Sequence, residues 1–592
     1  MPFAAPRFAA LAAPVLLLSA CAAPMATAPG AQTASAERPV EVGIIAINDF
    51  HGALEPPHAS VAAPDGQGGT VRVPAGGAAW LASAVRALQA KYPYHLTVSA
   101  GDLTSASQFA SSIYLDEPAV GVANRIGLDF NAVGNHEFDR GLNELERLQH
   151  GGCAHYTARQ PCQVEPFRGA RFEYLAANVT EADGKTIFPA TALRSFGSGA
   201  RKVSVGVIGL TLKGTKDLVA PGGIRGLTFG DEADAINRGV AKLKGEGADA
   251  VVVLIHQGLA PVPGSKPDPN GCDVSGALEP ILDRLDPRVD VVVSGHTHQT
   301  YNCMWPGKTG GKPMLLTSAG SYGRLVTDIV LDIDPASGAV VSKSAKNLIV
   351  QSPGYTSSRG PVAQSTAYPT YKPAPDVAAY VGKYVDAAKA FSQRVSGHIS
   401  GPADKADRGG ATAPTGGDLG NLIADAQLAA TRKAGAQIAF MNPFGIRAAL
   451  VPGKDGAVTY GQIYQVQPFN NVLVTGTMTG AQIKAVLEQG FDDAGVKQAL
   501  SPSAGFAYTV DMTRPSGNRV TGITLNGKPL GMDTTYRVTV SNFLSGGGDG
   551  FSVFGKAGDT VIGETDLDAL EQWLMAVPVR QVPHEPRATI TG

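Results

Sequence analysis

The chain has 592 residues, 44% of them apolar, with 72 glycines and 41 prolines. At roughly 150 residues per domain that length exceeds a single core and implies two to four domains, and the apolar share excludes a disordered chain. A formal net charge of −2 excludes the broad basic face of a phosphate-backbone binder, so no nucleic-acid polymer is expected as partner, while a local basic pocket stays open.

The first residues read as a targeting segment. Arg7 is the one charge before an apolar run that closes on Leu16-Leu17-Leu18-Ser19-Ala20-Cys21. That run is too short to span a bilayer as a helix and is expected to be a signal peptide over residues 1–20. The small residues before Cys21 resemble a bacterial lipoprotein signal. This implies a lipid on Cys21, membrane attachment, and an exported, periplasmic or outer-membrane-anchored protein of a Gram-negative bacterium. The simpler alternative is an ordinary cleaved signal with Cys21 incidental. Residues 21–38, rich in Ala, Pro, Thr and Ser, read as a flexible tether. Four further cysteines, Cys153, Cys162, Cys272 and Cys303, form an even set that in an exported chain implies disulfides. Sequence order favours Cys153–Cys162 and Cys272–Cys303 and leaves other pairings open. No Cys-x-x-Cys occurs, which argues against a zinc ribbon or a thioredoxin-like site.

From residue 40 the chain repeats an apolar strand, a polar turn and often a helix. The buried-strand run 42–47 is followed at once by Asn48-Asp49-Phe50-His51-Gly52. Residues 77–92 have helical spacing through Trp80, Leu81, Val85 and Leu88. The short strand 96–99 leads to Gly101-Asp102. The run 130–133 leads to Gly134-Asn135-His136-Glu137-Phe138-Asp139 and then to a helical pattern through Leu142, Leu145 and Leu148. Val203–Leu210 is a strand without a ligand at its end, Ala250–Ile255 ends at His256-Gln257-Gly258, and the run 291–293 ends at Ser294-Gly295-His296-Thr297-His298.

Five apolar strands thus deliver ligand-type side chains just beyond their C-terminal ends, the edge where open α/β sheets build their sites. One site made of Asp49, His51, Asp102, Asn135, His136, His256, His296 and His298 is expected. Any one of them alone would be a turn cap or a surface histidine. Five of the chain's 11 histidines falling at equivalent topological positions favour a joint site. The donors are oxygen and nitrogen without thiolate, which suits Zn²⁺ or Mn²⁺, with Co²⁺ or Mg²⁺ as further options, rather than Ca²⁺. Seven ligands exceed one tetrahedral set, so two divalent ions sharing a carboxylate are implied. Two ions about 3.5–4 Å apart can clamp both oxygens of an in-line phosphoryl displacement.

Taken together, Asn48-Asp49-Phe50-His51, Gly101-Asp102, the hexapeptide 134–139, His256 and Gly295-His296-Thr297-His298 resemble the calcineurin-like metallophosphoesterases. More narrowly they resemble the bacterial 5′-nucleotidases and UDP-sugar hydrolases, from about residue 40 to near the C-terminus. The resemblance implies a four-layer αββα sandwich, a linker helix and a second α/β nucleotide-binding domain. It assigns Asp49, His51, Asp102 and His298 to one ion, and Asp102, Asn135, His256 and His296 to the other. His136, oriented by Asp139, would stabilise the transferring phosphate or protonate the leaving group, with metal-bound water as nucleophile. Glu137 and Phe138 are expected to be structural.

Beyond a Pro- and Ser-rich stretch (residues 352–375), residues 377–395 read as a joining helix with Tyr380, Val381, Tyr384 and Val385 on one side. A helix over 419–431, strands over 437–441 and 472–478, a helix capped by Thr479 and a hairpin at Asn526-Gly527 follow. The expected division is a metallophosphoesterase domain over 39–352, a linker over 353–395 and a substrate-binding domain over 396–592. Three loops of the last part resemble the family's nucleotide site. They offer Asn442 and Arg447, then Phe469 and Asn471, then Phe543 and Asp549. Arg447 suits phosphate or ribose oxygens, Asp549 suits ribose hydroxyls, and Phe469 and Phe543 would sandwich a base. On the residues alone both phenylalanines read as core. The chain departs from the family at Phe444, where glycine is usual, and at residues 409–415, where additional arginines are usual and Arg408 is the nearest candidate.

The activity implied is hydrolysis of nucleoside 5′-monophosphates. UDP-sugar pyrophosphatase and 2′,3′-cyclic-nucleotide phosphodiesterase use the same metals and are the enzymatic alternatives. A non-catalytic nucleotide-binding surface lipoprotein is the alternative of another class. Because the site is divided between two domains, interdomain rotation is expected to gate binding and release.

Overall fold

Runs that are apolar at every position need cover on both faces, and this requirement sets the architecture of the first half. In the computed structural model, which describes residues 38–592 except 158, 220, 263, 308–311, 358–359, 406–414, 470 and 494–496, that cover comes from two stacked sheets with helices outside them. The signal, the tether, Cys21 and Arg408 lie outside the described residues.

The first sheet has the order Ala339–Ile349, Leu325–Asp334, Val40–Ile47, His95–Ser99, Phe130–Ala132, Glu173–Leu175, its last four strands parallel. The second has the order Thr300–Trp305, Met314–Ala319, Val291–Ser294, Ala250–Ile255, Val203–Leu210, Thr191–Phe196, with the middle four parallel. Val40, Val42, Ile44 and Ala46 face the other sheet and meet Val205, Val252, Leu254 and Val293 there. Ile45 and Ile47 point the opposite way, toward Leu81, Val85 and Val120 of the helices Ala78–Lys91 and Glu117–Ile126. Val251, Val253 and Ile255 likewise turn outward onto Ile236, Val240 and Leu243 of the helix Glu232–Gly245. The layers are helix, sheet, sheet, helix. Each fully buried Val, Ile or Leu contributes about 1.5–3 kcal/mol, and a one-residue slip would exchange the two sets of every strand. Register, and with it the placement of each strand end, is therefore strongly determined.

The joining helix runs over Pro375–Ser392, not to residue 395. Val395 instead opens the strand Val395–His398, which pairs with Ala457–Thr459. The helix lies against the first half: Arg125 stacks 3.4 Å above the Tyr380 ring, Lys383 pairs with Glu165 at 2.7 Å, and Asp376 pairs with Arg86 at 2.7 Å. In the second half a mixed five-stranded sheet has the order Ser501–Pro502, Ile438–Met441, Thr535–Ser541, Val472–Thr479, Gly558–Thr565. Thr459-x-x-Gln462 and Thr479-x-x-Gln482 form capping boxes that start the helices Tyr460–Val466 and Gly480–Gln489. Asn526 and Gly527 both take positive φ, closing the two-residue hairpin between Val520–Leu525 and Lys528–Pro529. Cys153 is bonded to Cys162, and Cys272 to Cys303. No helix among the described residues is long and apolar enough to cross a membrane.

Candidate metal centre and facing loops

All the parallel strands of the two sheets release their chains toward one edge. The first sheet delivers Asp49, His51, Asp102 and Asn135; the second delivers His256, His296 and His298. Ligand atoms of Asp49, His51, Asp102 and His298 lie within 4.8 Å of one another. On the adjoining side His256 Nε2 stands 3.0 Å from both Asp102 Oδ2 and Asn135 Oδ1, and His296 Nδ1 stands 3.1 Å from Asn135 Oδ1. Asp102 therefore touches both groups. Asp49, His51, Asp102, His296 and His298 all sit at positive φ, a conformation that residues bearing a Cβ adopt only when their surroundings enforce it.

Second partners aim the rings. The Ser105 carbonyl, 2.8 Å from His51 Nδ1, can only accept, so that nitrogen carries the proton and Nε2 faces the cluster. The Ala100 carbonyl fixes His256 in the same way at 2.8 Å. Asn48, which the sequence reading placed in the motif without a role, donates to Asp49 Oδ2 (2.7 Å) and to the Gly320 carbonyl (2.6 Å), and accepts from Ala319 N–H (2.7 Å). Glu137 is buried and accepts from the backbone N–H groups of Asp102, Leu103 and Gly134 at 2.7–2.9 Å, tying two strand ends together. The Tyr322 ring, a further residue missed in the sequence, packs 5.6 Å from His51 and 5.5 Å from His298. Its place in the site depends on a contact between distant segments that no local pattern announces.

Asp49 and Asp102 are both fully or almost fully buried. Their ion-pair partners are imidazoles, with no Lys or Arg among the described residues. Burial disfavours the Asp102 carboxylate, but His256, His136 and His51 hold it well below its ordinary range. Burial likewise opposes charge on His256, yet Asp102 pushes it up to about 10. His51 and His296 are pushed down to about 3, by burial first and with neighbouring imidazoles adding to it, against the opposing pull of Asp102. Buried carboxylates packed among imidazole nitrogens, with no Lys or Arg as ion-pair partner among the described residues, form a donor set that fits divalent ions.

His136 lies beside this cluster, its ring 5.2 Å from that of His51. Asp139 Oδ2 accepts from its Nδ1–H at 2.8 Å, and its backbone N–H donates to Asp102 Oδ1 at 2.9 Å. Burial works against the imidazolium, but Asp139 and Asp102 outweigh it and raise its pKa.

The facing loops come from the second half. Ile438–Met441 and Thr535–Ser541 are parallel neighbours, so the loops after them emerge together and Asn442 Nδ2 donates to Asp549 Oδ2 at 2.7 Å. The antiparallel neighbour Val472–Thr479 begins at the same edge, which brings Phe469 there. The Phe469 ring stacks on His136 (5.9 Å, 17°), and the Arg447 guanidinium lies 5.9 Å from Phe469. Burial pushes Asp549 up to about 6 against the opposing pull of Asn442, Arg447 and His136. Phe543 lies over Gly548, partly buried against the apolar core of this half. Asn471 is turned to Asp566, donating to its Oδ2 at 3.3 Å while its carbonyl accepts from Asp566 N–H at 2.8 Å.

A buried oxygen- and nitrogen-donor cluster at the carboxyl edge of an αββα sandwich, with a histidine–aspartate pair beside it, is the arrangement expected of a metallophosphoesterase. Comparison with known proteins agrees. The calcineurin-like phosphoesterase family model matches residues 43–300, and the model of the 5′-nucleotidase C-terminal domain matches residues 395–556. Cell wall protein Lmo0130 of Listeria monocytogenes is 31% identical over 566 residues, which cover 90% of this chain and 67% of that protein. Endonuclease YhcR of Bacillus subtilis is 30% identical over 551 residues, covering 92% of this chain; the chain spans only 40% of that relative's length. The crystal structure of a 5′-nucleotidase precursor from Thermus thermophilus superposes with a TM-score of 0.69 at 25% identity, covering 93% of this chain and 99% of that one. The chain belongs to the calcineurin-like phosphoesterases that carry a 5′-nucleotidase C-terminal domain, a family of metal-dependent hydrolases.

Proposed function

We propose that this protein is an exported, lipid-anchored phosphohydrolase that releases phosphate from nucleoside 5′-monophosphates at a centre of two divalent ions. The observation that carries this reading is the meeting of the two ligand groups with His136 on one side and Phe469 and Arg447 of the second half on the other. Asp49, His51, Asp102 and His298 would hold one ion; Asp102, Asn135, His256 and His296 would hold the other. Ions bound there would polarise phosphoryl oxygens and lower the pKa of water.

The chain's own residues do the remainder. Asp139 holds the Nδ1 proton of His136, so the proton that His136 offers a leaving oxygen is the one on Nε2. Arg447 presents a planar fork to phosphate oxygens. Asn442 and Asp549, already bonded to one another, present an amide and a carboxyl to ribose hydroxyls. Phe469 and Phe543 would hold the base by stacking, a mode tolerant of base identity. Residues 39–352, 353–395 and 396–592 serve in this proposal as catalytic domain, linker and substrate domain. The Leu-rich segment ending at Cys21 supports export and lipid attachment.

A phosphate-release panel of AMP, ATP, UDP-glucose and 2′,3′-cyclic AMP, run with Mn²⁺, Zn²⁺ and Co²⁺ and with chelator, tests the proposal. Since one relative is named an endonuclease, a single-stranded polynucleotide belongs in the panel. AMP should be cleaved best, and chelator should abolish turnover. Chelator-insensitive hydrolysis, or none across the panel, would remove the reading.

A further inference from the structure

Arg140 follows directly on the His136–Asp139 pair, yet its guanidinium turns away from the metal cluster. Nη1 pairs with Asp116 Oδ2 at 2.5 Å and donates to Ser105 Oγ at 3.1 Å, while Nη2 donates to Ser112 Oγ at 2.9 Å. Asp116 is fully buried and also accepts from Ser105 N–H (3.0 Å) and Ser111 Oγ–H (2.7 Å). Ser105, Ala106, Leu115 and Asp116 all take positive φ, so the segment 105–116 keeps an unfavourable backbone path that this buried ion pair holds in place. The same segment carries the Ser105 carbonyl that orients His51.

From Ser112 the bonding crosses to the second half. Ser112 Oγ contacts the Tyr464 hydroxyl, and that hydroxyl is 3.0 Å from the Pro468 carbonyl. Proton directions follow from chemistry. A carbonyl cannot donate, so the Tyr464 proton points to Pro468. Tyr464 must then accept from Ser112, and Ser112 in turn accepts from Arg140. The relay is buried, with Tyr464 1% and Ser112 2% exposed, and the Tyr464 ring packs edge-on against Phe109 (5.2 Å, 73°). It ends one residue before Phe469, whose ring stacks on His136.

We infer that Arg140, Ser112 and Tyr464 form an interdomain latch that seats Phe469 over His136, with Tyr464 as a positioning residue for the nucleoside. Building on the proposed nucleotide site, the latch has two arms: the Arg140–Asp116 pair braces the Ser105 segment, and the Ser112–Tyr464 arm, which can be cut without breaking that pair, places the base platform. Compounds without a nucleoside do not use the platform, so the latch acts on specificity and leaves the chemistry of simple phosphoesters unchanged.

The test compares wild type with Tyr464→Phe, Ser112→Ala and the double variant in the full-length, metal-loaded protein. Turnover of p-nitrophenyl phosphate and of AMP is measured alongside calorimetric binding of adenosine. Tyr464→Phe keeps the ring packed on Phe109 and removes the relay. With one net hydrogen bond as the scale, the AMP KM should rise and adenosine affinity fall about five- to tenfold, with kcat and p-nitrophenyl phosphate turnover within about twofold. Ser112→Ala should act alike from the other domain, and the double variant should be no worse than either single one, because all three break one chain. Unchanged adenosine binding in Tyr464→Phe, additive losses in the double variant, or a parallel fall on both phosphoesters overturns the latch. A wild type that cleaves p-nitrophenyl phosphate but binds neither adenosine nor AMP overturns the nucleotide proposal, and the latch with it.

Discussion

Gly134→Ala isolates the packing demand of the metal centre from every change of charge. Gly134 has no positive φ, so alanine is acceptable to the backbone and only space opposes it. A Cβ there would stand 2.2 Å from Asp102 Oδ1, 2.5 Å from Asp102 N and 2.8 Å from Glu137 Oε2. Restoring ordinary contact at 3.4 Å would move the Asp102 carboxylate by about 1.2 Å. Two of its obstacles are held in place: Asp102 N–H donates to Glu137 at 2.9 Å, and Asp102 Oδ1 accepts from His136 N–H at 2.9 Å. Overpacking of this kind costs about 1–3 kcal/mol of stability. A displacement of about 1 Å in a reacting constellation lowers turnover about 10²-fold. The measurements are bound metal by plasma mass spectrometry, phosphate release from AMP, and thermal melting. A variant with full metal content and kcat within twofold of wild type would refute the claim that Gly134 is required for space beside Asp102.

Asp139→Asn should lower kcat about 10²-fold with little change in KM or metal content, because His136 loses its orienting carboxylate; equal losses in metal content would instead make Asp139 part of the metal shell. Phe469→Ala should raise the AMP KM about 5- to 150-fold, the equivalent of the about 1–3 kcal/mol worth of one stacked base, and leave p-nitrophenyl phosphate unaffected; parallel loss on both substrates would mean that Phe469 supports His136 alone. Asp566 is buried with Oδ1 lacking a partner, and burial pushes its carboxyl up to about 7. The native state then keeps a proton that the unfolded chain releases from about pH 4, so stability from this group is full below that pH and is lost as pH rises through about 7. Asp566→Asn should flatten melting temperature between pH 4 and 8 and stabilise the protein at pH 8 by at most about 4 kcal/mol; a variant less stable at pH 8 would contradict the shift.

The strand ends were legible in the sequence because strands covered on both faces are continuous apolar runs, and each run stops where a polar ligand begins. Asn442, Arg447, Phe469 and Asp549 converge with those ends, but nothing local required them to, since their loops meet only through the strand order of the five-stranded sheet in the second half. Asn471 illustrates the limit: the resemblance of its loop to the family's nucleotide site suggests a substrate contact, while the fold commits its amide to Asp566, 95 residues away. Arg140 and Asp116 carry no signal in the sequence, because their pairing depends on backbone turns at positive φ that non-glycine residues do not advertise. The helix Glu232–Gly245 and the antiparallel strands between residues 300 and 349 went unmarked, since they carry no ligand and supply only cover and sheet edges.

The ligands are contributed unequally by two sheets that share no backbone hydrogen bonds with one another: four from one, three from the other. Any ion held among them is therefore a clasp across the sandwich, fastening layers that otherwise adhere by apolar contact and a few side-chain hydrogen bonds, such as those from Asn347 to the Tyr301 and Ser318 carbonyls. Resistance of this half to sliding and opening becomes a function of free metal concentration, through the logarithmic dependence that governs any ligand bound only by the native state. A core substitution such as Val252→Ala, remote from every ligand, would then register first as slackened metal retention and only later as unfolding.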